Sequence, residues 1–141
     1  MARREGHRDQ QVCASPRFGS MMDILIVNQN EPPSLLRNDV TGGHHWIKIK
    51  LTGVASNRSA IGARVTVRYD GRVQAQEVLS QSSYLSVNDS RLHFGLGGAA
   101  AVDIEIRWPL GRIEKLSQVA ADRLIYVSEG AGVTRTQRFK Y

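Results

Sequence analysis

Val102-Asp103-Ile104-Glu105-Ile106-Arg107-Trp108 alternates apolar and charged residues without a break. Successive side chains of an extended chain point to opposite faces, so Val102, Ile104, Ile106 and Trp108 share one face and Asp103, Glu105 and Arg107 the other. Such a segment is a half-buried strand. The same period runs through Trp46-Ile47-Lys48-Ile49-Lys50-Leu51 and through Ala63-Arg64-Val65-Thr66-Val67-Arg68-Tyr69. Asp70-Gly71 then joins the last of these to the segment Arg72 to Leu79. Asp-Gly suits a two-residue turn with positive φ at both positions, which predicts a hairpin over residues 62–79.

Further strands are expected at Asp23–Asn28, Leu35–Asn38, Leu92–Phe94, Arg112–Ser117 and Leu124–Ser128, separated by clusters of Gly, Pro, Asn and Asp. Helical periodicity is weak throughout, and Leu116–Arg123 is the one segment that hints at it. Many short strands with turn signals between them predict an all-β fold, a small antiparallel β-sandwich or open barrel with little helix.

The 141 residues suffice for one domain with a substantial core, and 41% hydrophobic with 23% charged residues is globular composition. No stretch approaches the roughly 20 apolar residues that span a bilayer, so no membrane insertion is expected. The first 20 residues are Arg- and Gln-rich and lack the apolar centre of a secretory signal; a disordered or non-native tail without an export signal is expected there. Cys13 is the only cysteine, which excludes an internal disulfide and a cysteine metal quartet.

A formal charge of +6 raises the question of nucleic acid. Residues 1–20 carry +2 of it and residues 135–141, with Arg135, Arg138 and Lys140, carry +3, leaving +1 for everything between. The excess lies at the ends, so no nucleic-acid partner is expected, and 135–141 reads as a basic tail.

Four short segments stand in order: Asn57-Arg58-Ser59-Ala60-Ile61-Gly62-Ala63-Arg64-Val65, Tyr84-Leu85-Ser86, Phe94-Gly95-Leu96-Gly97 and Trp108-Pro109-Leu110-Gly111. The series closely resembles the ASPIC/UnbV domain over residues 45–130, within a β domain expected at 41–134. Asp23 to Asn28, followed by Leu35 to Asn38, resembles the end of the last FG-GAP/VCBS propeller blade that often precedes that domain, which makes 21–40 a blade remnant. The resemblance implies a C-terminal cap module of an extracellular or periplasmic propeller protein, this chain being a fragment or a late-start open reading frame of a longer one. Related blades bind calcium through an acidic loop; here only Asp23 stands at that place, so no calcium site is expected.

Beside the resemblance, the residues argue for architecture. Gly62, Gly95, Gly97 and Gly111 read as turn makers, and Trp108-Pro109 ends a strand because proline donates no hydrogen bond to a ladder. Asn57 and Arg58 precede a strand, where an Asn side chain bonds turn backbone and an Arg fixes a neighbouring loop. With Phe94, these form the candidate structural motif.

Catalytic and metal chemistry find little footing. Asp103 and Glu105 share a strand face at roughly 7 Å, a spacing two carboxylates could use, but solvated charges on an alternating strand explain them better. Ser82, Ser83 or Ser86 with His93 and Asp103 supplies the letters of a triad without a nucleophile elbow. His44 and His45 point to opposite faces and do not chelate together. Gly95-Leu96-Gly97-Gly98 lacks the Lys and helix of a phosphate loop, and the sequons at Asn57 and Asn88 are too short to carry weight. No catalytic residue, metal ligand or cofactor is expected.

The reading is thus a non-enzymatic structural or interaction module, whose partners are the propeller of its parent protein and otherwise a protein or glycan. The alternative is a carbohydrate-binding β-sandwich. Trp46, on the polar phase of its strand, is its candidate residue, as an exposed ring for stacking on a sugar.

Overall fold

The computed structural model describes residues 10–16, 22–28, 30–38, 42–81 and 88–138. All regular structure among them is β: β1 (Gln10–Pro16), β2 (Met22–Asn28), β3 (Ser34–Leu36), β4 (His45–Thr52), β5 (Arg64–Tyr69), β6 (Arg72–Glu77), β7 (Leu92–Gly97), β8 (Ala101–Arg107), β9 (Ile113–Ala120), β10 (Arg123–Ser128) and β11 (Gly132–Arg138). None of the described residues is helical, so none forms a helix long and apolar enough to cross a membrane. The chain divides into two compact units, one holding β1 to β3 and the other β4 to β11.

The first unit is a three-stranded antiparallel sheet in the order β1-β2-β3. Asp23 is buried there, and its Oδ1 accepts the amide of Asn38 at 2.9 Å, tying β2 to the residues after β3. Gln10–Pro16 forms a strand within the stretch 1–20, for which a disordered or non-native tail was expected. The period of two is poor in QQVCASP, and pairing with the apolar β2 decides its conformation instead. Residues 1–9, 17–21 and 139–141 lie outside the described residues.

The second unit is a sandwich of two four-stranded sheets, β11-β10-β4-β7 and β6-β5-β8-β9. One apolar cluster fills the space between them, with Ile47, Ile49 and Leu51 of β4, Leu92, Phe94 and Leu96 of β7, Ile125 and Val127 of β10, Val65, Val67 and Tyr69 of β5, and Val102, Ile104 and Ile106 of β8. The alternating pattern placed those of β4, β5 and β8 inside. The predicted hairpin is β5–β6, with Asp70 at φ 43° and Gly71 at φ 70°, as a type I′ turn requires.

Three features depart from the sequence expectations. Pairing is not all antiparallel: β10 runs parallel to β4, with Arg123 opposite Ile47 and Ser128 opposite Thr52. A parallel pair needs a long crossover, and β5 to β9 lie within it. Leu116–Arg123 is no helix but the end of β9, its turn and the first residue of β10. Gln118 at φ 54° makes a bulge there, and Asp103 Oδ1 accepts its amide at 2.8 Å. The bulge breaks the period of two, which is why the segment mimics a helical spacing. Arg135 to Arg138 are likewise no tail, since they complete β11 on β10. Backbone pairing holds this edge strand, whose side chains are mostly exposed and polar and so carry no apolar signal.

Candidate functional site

Two of the four sequence motifs, the Asn-Arg and the Trp-Pro segments, meet at one end of the sandwich. Asn57 organises the loop between β4 and β5: its Nδ2 donates to the Ile61 carbonyl and its Oδ1 accepts the Ile61 amide, both at 2.8 Å. The Ala60 amide donates to the Asn57 carbonyl at 2.8 Å and the Ala63 amide to that of Ala60 at 2.9 Å. Gly62, at φ 88°, hands its amide to Val78, and the place of its absent Cβ lies 3.8 Å from Pro109 Cγ. Thus the Asn-Arg and Trp-Pro segments meet. In the second of them the Gly111 amide donates to the Trp108 carbonyl at 2.8 Å, and Trp108 is 1% exposed in the core.

Glu129 locks the same loop from β10. Its carboxylate is buried and accepts the Val54 amide at 2.9 Å, the Ser56 amide at 2.7 Å and the Ser56 hydroxyl at 2.9 Å. These bonds, the Ser56 amide foremost, hold its pKa below the ordinary value against the opposing effect of burial. Beside it the Gly130 amide donates to Glu114 Oε1 at 2.5 Å, and Arg112 pairs with the same carboxylate at 3.1 Å. Sequence reasoning passed over Glu129; its one signal is an acid directly after the apolar run of β10 and before Gly130.

The loops of this end hold three apolar side chains in solvent among polar ones. Val54 and Leu110 are each 71% exposed and Ile61 41%, while the Arg58 side chain is exposed beside them in the loop. The predicted role of Asn57 as a turn organiser is what the geometry displays; Arg58 contributes its carbonyl, which accepts the Gly53 amide at 3.2 Å.

Other candidates fall elsewhere. Gly97 is at φ 59° and Gly111 at φ 91°, as turn makers should be. Gly95 is not: it lies inside β7 without a positive φ, and its carbonyl accepts the Tyr69 hydroxyl at 3.0 Å and Gln74 Nε2 at 2.8 Å. Together with the bond from Gln76 Nε2 to the His93 carbonyl at 2.6 Å, these clasp one sheet to the other along β6 and β7. Phe94 is buried in the core.

Trp46 is 2% exposed, so the exposed ring expected of a sugar-stacking site is not there. Its indole stacks on the His93 imidazole with centroids 6.0 Å apart and planes 11° apart, and Lys48 Nζ lies 5.3 Å from its centre. The polar phase of β4 misled the reading, because Lys48 is as buried as Trp46. Burial and then the charge of Lys48 lower the His93 pKa to about 4.

The candidate catalytic groups are engaged in structure. Asp103 caps the β9 bulge, and Glu105 pairs with Arg68 at 3.4 Å and Lys115 at 3.6 Å. His45 Nδ1 lies 2.6 Å from Asp122 Oδ2, and Asp122 Oδ1 accepts the Trp46 amide, so the pair joins β4 to the β9–β10 turn. No group of three or more metal-ligating side chains occurs among the described residues. Ser82, Ser83, Tyr84, Leu85 and Ser86 lie outside them.

A two-sheet β domain whose motif residues build a rigid loop end is the class of protein that fold and site define. The chain belongs to the ASPIC and UnbV family, whose model matches residues 53–134. The match begins at the glycine that opens the Asn57 loop and ends in β11. No curated protein matches the chain.

Proposed function

We propose that this chain is a non-enzymatic interaction module, the C-terminal cap of an extracellular or periplasmic FG-GAP/VCBS propeller protein. The observation that carries the reading is the loop end itself. Asn57, Glu129, Gly62 and Pro109 are spent on rigidity, and what that rigidity presents outward is Val54, Ile61 and Leu110. Apolar side chains held in solvent on fixed loops suit burial against another protein surface. The engagement of Asp103, Glu105 and His45 in structural contacts favours binding over catalysis. A propeller as the neighbour rests on the sequence resemblance of residues 21–40 alone.

Calorimetric titration of the chain with a purified propeller from an FG-GAP/VCBS protein of this family tests the proposal. Binding that weakens in Leu110→Asp is expected. Absence of binding, or binding indifferent to Leu110→Asp, overturns it. A glycan array on the same protein examines the carbohydrate reading, which the burial of Trp46 deprives of its candidate ring.

A further inference from the structure

The outer face of the β6-β5-β8-β9 sheet, where Arg64 of the first motif and Arg107, just before the Trp108-Pro109 motif, stand, carries an arrangement that packing alone does not explain. Arg64 on β5 stands directly opposite Arg107 on β8. Directly opposed residues of an antiparallel pair have Cβ atoms roughly 4.5–5.5 Å apart, and like charges so placed repel. The neighbouring cations on this face have an acidic partner, Arg68 and Lys115 sharing the one carboxylate of Glu105. Arg64 and Arg107 are not: both are exposed, and neither forms an ion pair among the described residues, although Glu77 sits opposite Arg64 on β6. The two guanidinium groups line an open groove of about 350 Å³ with Thr66, Arg68, Val73, Ala75 and Glu105.

The geometry points to an oxyanion-binding site, in which Arg64 and Arg107 clamp a sulfate, phosphate or carboxylate group of a small ligand. Guanidinium is planar and donates in pairs to such oxygens, and two facing guanidinium groups supply donors from both sides. Thr66, the next residue outward on β5, adds a hydroxyl that donates or accepts. An anion between the arginines turns their repulsion into attraction, the one change that makes the pair favourable. Val73 and Ala75 form an apolar wall along the β6 side, against which the uncharged body of the ligand lies. A cavity of this size lies at the small end of the range that small molecules occupy, so the ligand is of sugar size rather than an extended chain. The site lies on the sheet face and not on the Val54, Ile61 and Leu110 rim, so it is independent of the module reading above.

The full chain, titrated calorimetrically with glucose 6-sulfate, glucose 6-phosphate, glucuronate and glucose, tests the site. At least one of the three anions is expected to bind at one per chain and glucose not, and the order among the three identifies the oxyanion. Arg64→Gln and Arg107→Gln should each weaken that binding about tenfold or more, the loss of a charge-assisted hydrogen bond. Lys115→Gln, at a residue that lies outside the groove lining and reaches it only through its exposed pair with Glu105, should change affinity less than about threefold, since one such exposed ion pair contributes little. Without ligand, the melting temperature of both Arg variants should stay level or rise, because repulsion is relieved; this keeps the test free of folding defects. No anion binding below about 10 mM, or equal losses in Lys115→Gln and the Arg variants, overturns the site.

Discussion

Ser56 holds the Glu129 carboxylate at two points, its amide on Oε2 at 2.7 Å and its hydroxyl on Oε1 at 2.9 Å, across 73 positions of sequence. The contact fastens the β4–β5 loop to the end of β10. Through Asn57 and the Gly62 contact with Pro109, the same fastening extends to the β8–β9 turn. A single carboxylate thereby governs whether the motif loop is a rigid platform.

Glu129→Gln should lower the melting temperature at pH 7 and raise amide hydrogen exchange over residues 53–58, because the amide side chain replaces a charged acceptor by a neutral one and introduces a donor facing donors. The pH dependence follows from its lowered pKa. Stability from Glu129 is present above its ordinary value of 4.5 and is lost as pH falls below that value through the folded-state pKa. Melting temperatures of wild type and variant should therefore converge as pH drops below 4.5. A constant gap down to the acid limit contradicts the bonded carboxylate.

His93 acts in the window above. Half-buried beside Lys48, with its Nδ1 shielded from solvent, it stays neutral down to a pKa of about 4, whereas the unfolded chain takes up the proton near 6.5. The unfolded state thus binds more protons between these values, so stability rises with pH across the window and is complete above 6.5. The difference amounts to about 3 kcal/mol at most. His93→Gln should flatten the dependence between pH 4 and 6.5, measured as denaturant midpoints at half-unit steps. A slope that survives the substitution assigns it to another group.

How far the sequence discloses this molecule depends on whether a residue's role is local. Alternation in Val102 to Trp108 and the Asp70-Gly71 turn are local, and both stand as read. Asn57 was legible because its partner, Ile61, lies four positions away. Glu129 was not, since its role exists only when Ser56 arrives from another strand. Trp46 shows the opposite error: its place on the polar phase of β4 suggested exposure, yet Lys48 and His93 pack around it. Period reports which residues share a face. It does not report whether that face is covered. The parallel pairing of β10 with β4 is likewise a matter of topology, invisible to either strand alone.

Gly53→Ala should destabilise the second unit severely. A Cβ at this position would stand 2.1 Å from the Asn57 carbonyl oxygen and 2.9 Å from that of Ser56, so backbone and not a flexible side chain has to move. The loop that has to move is the one Glu129 holds, and overpacking of this kind costs about 1–3 kcal/mol. Thermal unfolding of the purified variant checks it. A melting temperature equal to wild type means that the loop yields freely.

Gly95 and Gly97 stand two positions apart in one motif and should respond in opposite ways to the same substitution. Gly97 is at φ 59°, in the left-handed region where a β-branched residue is strained. Gly97→Val should cost about 1–3 kcal/mol. Gly95 has no positive φ, lies exposed within β7, and has no atom within 4 Å of the place a Cβ would take. Its part in the fold is its carbonyl, which Tyr69 and Gln74 bond and which a side chain leaves intact. Gly95→Val should therefore be neutral within about 0.5 kcal/mol, or stabilising, since glycine in a strand interior loses more backbone entropy on folding. For a domain near this size each kcal/mol moves the melting temperature by roughly 4–8 °C, so the two variants separate cleanly in a thermal scan. Equal losses in both would mean that Gly95 contributes more than its carbonyl, and that the motif is conformationally demanding along its whole length.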